Sequence, residues 1–486
     1  MRTLNGGGTV RRTWWVIALI ALASGMASGT VRYWLGLASY EEIDARRYAR
    51  ARRTDNLDIA VVYADGEQAL FNGLSLAFTG PDPGVERGSV SLHGRRIPVS
   101  LHPFRSRAGA DAVNEQVAFA RTIARDDRYV AVVGHSSSEV ALMASVSYEA
   151  TKLLFMATTS TYPALTDRGF AYTIRNIVTD QRYSAAIARL CTQLHVSRLG
   201  MFYQQSASSL SAIDDFEEAL ADRSISTVFE KSYDGRLGTG VGTVVERDRQ
   251  ERLREAMARE ERLEGDELPQ MIAIIGDNVP AAVEVWKRIN ISRLRDLPLV
   301  VYGDLDASGF IDQTHRVPSS TASETHARPD LIEVEDFDRD DGDSLKIKRE
   351  DPGAIYVASL FSAAEASEVV TETDEAKRKL ATDRIGKIQQ FEASYARRFR
   401  NTTGRPLAAD TLAIQGFAMG EILKQAFEKS ESVAPVDVVG TLKSRLNTFE
   451  TLGRRFTFDF KGDVNVERLG AGHALLFKRY ARAATP

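Results

Sequence analysis

The chain has 486 residues, of which 43% are hydrophobic and 26% charged, too apolar for a disordered polymer and too charged for a bundle of membrane helices. Sixty-two Lys plus Arg stand against 66 Asp plus Glu, a formal net charge of -4, which excludes a global reader of nucleic-acid phosphates. The single cysteine, Cys191, allows no internal disulfide and no cysteine cluster for a metal, and the seven histidines show no metalloprotease spacing.

The first segment, 1–56, reads as a membrane-addressing element followed by a charged spacer. No charged side chain occurs from Thr13 to Val31. Arg11 and Arg12 precede the run, and Trp14, Trp15, Tyr33 and Trp34 place amphipathic rings at its two ends, about a bilayer apart on a helix. An uncleaved anchor over 14–31 and a signal peptide cut after Ala21-Leu22-Ala23, leaving a chain that starts at Ser24, both fit. Either puts the body on the extracytoplasmic side, in the periplasm or at the cell surface. Glu41 to Arg53 (EEIDARRYARARR) reads as a solvated helix beside the membrane.

From Asn56 onwards, short apolar runs alternate with amphipathic stretches. Asp58–Ala64, Arg96–Leu101, Tyr129–Gly134, Leu153–Ala157, Arg198–Tyr203, Met271–Gly276 and Leu297–Gly303 are nearly continuous in apolar residues, as strands covered on both faces are. Val113, Val117, Ala120 and Ala124 recur at helical spacing between two of them. Such βα units predict an α/β fold with doubly wound parallel sheets, in which ligands bind beyond the carboxyl ends of the strands. Two insertions interrupt the pattern. Glu246–Glu267 reads as a charged, solvated helix with opposite charges four apart, as in Asp248 with Arg252. Ala307–Pro352, rich in Asp, Ser and Pro, reads as a surface loop adding little to the core.

The loops after the strands supply the candidate site. Ser136, Ser137 and Ser138 follow one strand, Thr159, Ser160 and Thr161 the next, and Gln205, Asp277 and Asn278 follow two later ones. Hydroxyls and free N–H groups donate to a carboxylate, while an aspartate accepts from an ammonium; each Ser or Thr is also a candidate helix cap. Gly134-His135-Ser136-Ser137-Ser138 partly mimics a G-x-S-x-G nucleophile elbow, with His473, Asp459 and Asp463 late in the chain. Its fifth position is Ser where that turn requires Gly, which argues against an enzyme.

Residues 130–190 (VAVVGHSSSEVALMASVSYEATKLLFMATTSTYPALTDRGFAYTIRNIVTDQRYSAAIARL) resemble the central segment of type I periplasmic substrate-binding proteins of the branched-chain amino-acid (leucine-binding-like) group. The resemblance rests on Gly134-His135 and its serines, the turn Thr158–Thr161 with Pro163 and Leu165-Thr166, then Gly169-Phe170 and Ile174-Arg175. FEASYARRFRNTTGRPLAADTLAIQGFAMGEIL and GRRFTFDFKGDV extend it to most of 57–480. It implies two doubly wound lobes with a ligand cleft between them: lobe one from 57–175 plus 355–439, lobe two from 176–354 plus 440–486. It further implies that the α-carboxylate of an amino acid or similar small molecule meets Ser138 and Thr161, and that Asp277, Asn278 and Asp304 stand where lobe two supplies an ammonium acceptor. No cofactor or metal is implied. The chain departs from the group in having Gln205 to Ser209 where an aromatic wall is usual. The function expected is an extracytoplasmic solute receptor for an ABC-type transporter permease, and the alternative is a membrane-tethered sensing or scaffold domain that signals to a separate partner.

Overall fold

The protein, as a computed structural model, is described for Tyr33, Gly36 and residues 38–480, apart from 54, 83, 86, 108–110, 136, 238–242, 259–262, 277, 303–309, 315–329, 334–352, 360–374, 469–471 and 474–475. The membrane run 14–31 lies outside these residues, as do Ser136, Asp277 and Asp304. No helix among the described residues is long and apolar enough to cross a membrane.

The chain enters through helix α1 (Tyr40–Ala51) and then builds strand β1 (Leu57–Ala64), helix α2 (Gln68–Thr79), strands β2 (Gly88–Leu92) and β3 (Arg95–Ser106), helix α3 (Asp111–Arg125), strand β4 (Tyr129–Val133), helix α4 (Ser138–Ala150), strand β5 (Leu154–Ala157), the short helix α5 (Ala164–Asp167) and strand β6 (Thr173–Arg175). These strands form one sheet in the order β2-β3-β1-β4-β5-β6. All pairs are parallel except β2 with β3, joined through His93 and Gly94, whose positive φ values of 49° and 75° make the two-residue turn that tight hairpins favour. The four strands expected in this half fall on β1, β3, β4 and β5. β2 and β6 carried too little apolar signal to be read from the sequence.

A second sheet follows: helix α6 (Asp180–Gln193), strand β7 (Arg198–Gln204), helix α7 (Ala207–Ala221), strand β8 (Ser226–Tyr233), helix α8 (Val244–Met257), strand β9 (Met271–Ile275), helix α9 (Val279–Asn290), strand β10 (Leu299–Tyr302), the short helix α10 (Phe310–Thr314), and strands β11 (Asp330–Glu333) and β12 (Ile355–Ser359). The last part supplies helices α11 (Glu375–Arg398), α12 (Thr411–Ser430) and α13 (Pro435–Leu442), and strands β13 (Phe449–Thr451), β14 (Arg454–Phe458), β15 (Val464–Arg468), β16 (Gly472–His473) and β17 (Leu476–Tyr480). The second sheet runs β11-β17-β12-β10-β9-β7-β8, with β17 antiparallel to both neighbours; β13 to β16 form a small antiparallel sheet of their own. Ile355–Ser359, expected to open the return to lobe one, pairs with β10 instead, so the return falls after Ser359. Of the stretch expected in lobe two after 440, β17 joins the second sheet, whereas Phe449, Phe456 and Phe458 of the small sheet are buried against the core that α12 and the first sheet share.

The return is fixed by glycines. A Cβ on Gly73 of α2 would lie 1.9 Å from the Ala413 carbonyl oxygen, and one on Gly416 of α12 would lie 2.2 Å from that of Leu70. The two helices therefore cross with their backbones in contact, a separation that any side chain at these positions would prevent.

Three charged segments behave differently from the expected solvated surface. Asp248 and Arg252 of α8 do pair, but Leu253 and Met257 on the same helix are buried in the second core, so the helix packs along one stripe. Of 307–352, Asp330–Glu333 adds an edge strand to β17, and Phe310 is fully buried, which corrects the reading of this stretch as loop without core value. Phe310→Ala should cost about 3–5 kcal/mol of unfolding free energy, the range for emptying an aromatic core site. A denaturant titration of the full chain checks it. The third segment is α1, whose Arg47 is fully buried against the first sheet.

Candidate functional site

The serine and threonine loops leave the carboxyl ends of the adjacent strands β4 and β5. Gly134 begins the first of them at φ 138°, and a Cβ there would stand 2.3 Å from the Val62 carbonyl oxygen, so glycine alone lets the loop hug β1. His135 follows, fully enclosed, with Nδ1 3.1 Å from Gln116 Oε1 and Nε2 2.9 Å from the Tyr148 hydroxyl. Burial pushes its pKa down to about 3, so the ring is neutral and serves as a strut. Thr159 donates to the His135 carbonyl at 2.6 Å, stitching the two loops together.

The candidate residues divide by role. Ser137 is the N-cap of α4 and accepts from the Val140 amide at 3.4 Å; Asn278 caps α9 in the same way. Ser138 is 3% exposed and opens α4. Ser160 is fully buried and its hydroxyl has no protein partner, as is true of Thr158 beside it. Leaving such groups unpaired costs about 1–3 kcal/mol, which natural cores rarely accept away from functional sites. Thr161 points to a residue that sequence reasoning missed. Its hydroxyl hydrogen-bonds the Asp180 carboxyl and its carbonyl accepts from the Asp180 amide at 2.9 Å.

Asp180 begins α6, immediately after the chain has crossed from the first sheet to the second, and it is 2% exposed. Tyr302, at the end of β10, donates to its backbone carbonyl at 2.9 Å and lies 3.3 Å from its carboxylate; Ser184 lies 3.1 Å from the same hydroxyl. Burial raises the carboxyl pKa to about 6, with the hydrogen bond from Thr161 and the positive charge of Arg175 pulling it back. A buried carboxylate thus sits at the junction of the two sheets, met by the hydroxyls of Thr161 and Tyr302, with the unpartnered hydroxyl of Ser160 on the same turn as Thr161.

The second sheet's rim is built by side chains of its own. Gln204 accepts from the Asn278 amide at 3.0 Å, and Tyr233 donates to the Ile275 carbonyl at 3.0 Å, tying the ends of β7, β8 and β9. Gln205, a candidate contact, instead spends its amide on Ser232 at 2.9 Å along the exposed edge. A groove of about 460 Å³ lined by Arg46, Ala49, Arg50, Arg53, Asp55 and Asp127 lies at the other end of β4, and none of its lining residues is buried. An open groove of this kind lacks the enclosure that holds a small solute.

The two aspartates weighed with the elbow-like segment are engaged elsewhere. Asp459 accepts from the amides of Lys461, Gly462 and Asp463 at 2.9 Å each, a turn staple, and Asp463 is held by Arg175 and Thr166. Cys191 is buried, and burial pushes its thiol pKa up to about 12, so the thiol is protonated at neutral pH.

Two largely parallel sheets, flanked by helices and joined by crossovers, make the type I periplasmic binding protein fold. The family model for the ligand-binding region of the receptor family matches residues 103–262. A substrate-binding protein of an ABC transporter from Desulfitobacterium hafniense, solved with Leu, superposes with a TM-score of 0.55 at 18% identity, over 87% of this chain and 97% of that one. A leucine-binding protein from Thermotoga maritima gives 0.54 at 16% identity, over 86% and 98%. A solute-binding protein of an ABC transporter from Rhodopseudomonas palustris, solved with 3,4-dihydroxybenzoic acid, gives 0.55 at 12%, over 89% and 99%. No curated protein matches the sequence. The chain has the fold of these type I binding proteins along nearly its whole described length.

Proposed function

We propose that the protein is an extracytoplasmic binding protein for a small carboxylate-bearing solute, an amino acid or a close relative, and that it acts as the receptor of an ABC-type transporter permease. The observation that carries this reading is the buried hydroxyl turn beside Asp180: the Ser160 hydroxyl, buried without a protein partner, is a donor for a carboxylate, and the Asp180 carboxyl next to Thr161 is an acceptor for an ammonium. Asp180 takes the ammonium role first expected of Asp277 or Asp304. The relatives of similar fold were solved with leucine or with dihydroxybenzoate, and both ligands carry a carboxylate.

Calorimetry on the full chain in detergent, with the twenty amino acids, benzoate and 3,4-dihydroxybenzoate, tests it. Ser138→Ala and Thr161→Ala should each weaken the best binder by about 1–3 kcal/mol while the protein stays folded, the cost of leaving a charged partner short of a hydrogen bond. Unchanged affinity in both variants places the pocket elsewhere.

Membrane tethering through 14–31 belongs to the same proposal, and a sensing role is favoured by one observation. The Tyr33 hydroxyl accepts from the Asp127 amide at 3.0 Å, and Arg125 donates to the Gly36 carbonyl at 3.0 Å, so the chain is already fastened to the first sheet two residues after the apolar run ends. A domain fastened this close in sequence to the apolar run suits a receptor fixed at the membrane better than a diffusing carrier. Amino-terminal sequencing of protein from native membranes should find the original amino terminus. A mature chain that begins at Ser24 overturns the anchor.

A further inference from the structure

Beside the ligand turn lies a buried arginine that solute binding does not itself require. Arg175 ends β6, at the point where the chain first leaves the first sheet, and its side chain has no exposure to solvent. Its guanidinium reaches in three directions. Nη1 donates to the Tyr162 carbonyl at 2.7 Å and to that of Ser160 at 3.4 Å, inside the hydroxyl-bearing turn. Nη2 donates to the Thr166 hydroxyl at 2.8 Å. Nε donates at 3.0 Å to the carboxylate of Asp463, which Nη2 also meets.

Asp463 closes the turn between β14 and β15, in the stretch of chain that ends in β17 of the second sheet. The backbone is joined at the same place: the Arg175 amide donates to the Gly462 carbonyl at 2.9 Å, and a Cβ on Gly462 would come within 2.2 Å of the Thr173 carbonyl oxygen. Thr166 donates to Asp463 at 2.8 Å, which closes a triangle with the guanidinium. Arg182 of α6 reaches Asn465 of β15 at 3.2 Å, so the first helix of the second half is also tied to this hairpin.

We propose that Arg175 and Asp463 are positioning residues for the solute site: one ion pair clamps the first crossover to the last and holds the turn 158–163 in the shape that presents Ser160 and Thr161. The physical reason is the fork. A planar guanidinium with fixed donors can satisfy two carbonyls of the turn while remaining bonded to the carboxylate, so the turn cannot relax unless the crossover pair separates. A buried guanidinium deprived of its carboxylate must also move towards water, taking its two carbonyl partners out of register. Lobe movement and turn geometry are therefore a single degree of freedom at this point. The inference rests on the reading of 158–163 as the solute turn, but its test needs no ligand. A failed ligand screen would sink the function and leave the clamp standing.

The test is native-state hydrogen exchange on the full chain in detergent, read peptide by peptide, for the wild type, Asp463→Asn, Asp463→Glu and Thr166→Val. Asp463→Asn should raise exchange at least tenfold in peptides that cover 158–163 and 459–463, nearly three hundred positions apart in sequence, while β9 and α12 exchange as before. Asp463→Glu, which keeps the charge, should restore most of the protection, and Thr166→Val should give an intermediate rise in both segments. Unchanged exchange over 158–163 in Asp463→Asn overturns the proposal. So does an equal rise throughout both sheets, the pattern of a merely structural defect. If Asp463→Asn does not fold, the outcome is decided by Thr166→Val: a rise confined to the two segments supports the clamp, and no rise or a general one overturns it.

Discussion

Binding of an ammonium-bearing ligand is expected to weaken about tenfold for each pH unit below about 6, and binding of a benzoate-type ligand is not. The group responsible is Asp180, whose carboxyl is raised to about 6 by burial, with Arg175 opposing the shift and Asp215 adding to it. An ammonium pairs with the carboxylate form alone, so below the pKa each unit of pH removes a factor of ten from the competent population. An anion without an ammonium meets less repulsion once Asp180 is neutral, and its affinity holds or improves in the same window. The stability sign follows from the same shift. A carboxyl whose folded pKa lies above its unfolded value favours the folded state most at low pH, and that contribution is lost as pH rises through about 6. The rise from an ordinary aspartate value to about 6 corresponds to about 3 kcal/mol. Asp180→Asn should therefore melt higher than the wild type at pH 8 without ligand, bind an amino acid much more weakly, and lose the pH dependence of binding. Calorimetry from pH 4.5 to 8 with the two ligand classes reads all of this. A flat profile for an amino acid in the wild type would remove Asp180 from the site.

Asp180 also shows where the sequence stopped being legible. In the string Thr179-Asp180-Gln181-Arg182-Tyr183 it has the appearance of an acid in the first turn of a helix, a place where carboxylates are common because they face the free N–H groups. Nothing local distinguishes it from an exposed capping acid. What packs over it is Tyr302, 122 positions later, at the end of a central strand of the second sheet. The strands that were legible, such as β4 and β9, are covered on both faces and carry their signal in every residue. β8, at the sheet's edge, buries only Phe229 and Tyr233 and carries Glu230 and Lys231 between them, a pattern too weak to read alone. The hydroxyl loops were legible because they follow such strands. Which hydroxyl caps a helix, as in Ser137, and which stays unpaired, as in Ser160, is decided by packing.

Arg47→Met should destabilise the protein by about 3–5 kcal/mol, the largest effect expected of any single change in the charged amino-terminal stretch. In sequence Arg47 is one of five arginines between Glu41 and Arg53, and the run reads as a solvated helix. In the structure it has no exposed surface, and its guanidinium donates to the carbonyls of Tyr129 at 2.9 Å, Ala124 at 2.8 Å, Asp126 at 3.3 Å and Thr151. Those carbonyls belong to the end of α3, the start of β4 and the end of α4, so one side chain fastens α1 to three elements of the first sheet's layer. Burial lowers its pKa to about 10, which still leaves it charged at neutral pH, with Asp44 and Asp127 opposing the shift. Methionine fills much the same volume but donates nothing, leaving the carbonyls unpaired in a buried site. Lysine is no remedy, because one ammonium cannot span the positions that a planar fork reaches. The exposed pair Lys152–Asp44, 2.9 Å apart between the end of α4 and α1, supplies the contrast: Lys152→Ala should cost less than about 1 kcal/mol, since water screens it. Denaturant titration measures both variants, and limited trypsin digestion separates undocking from global loss. If α1 is held as described, Arg47→Met exposes Arg46, Arg50 and Arg52 to cleavage while β4 and β5 stay protected; a loss below about 1 kcal/mol with no new cleavage would mean that the helix is held by Ile43 and Ala51 packing instead.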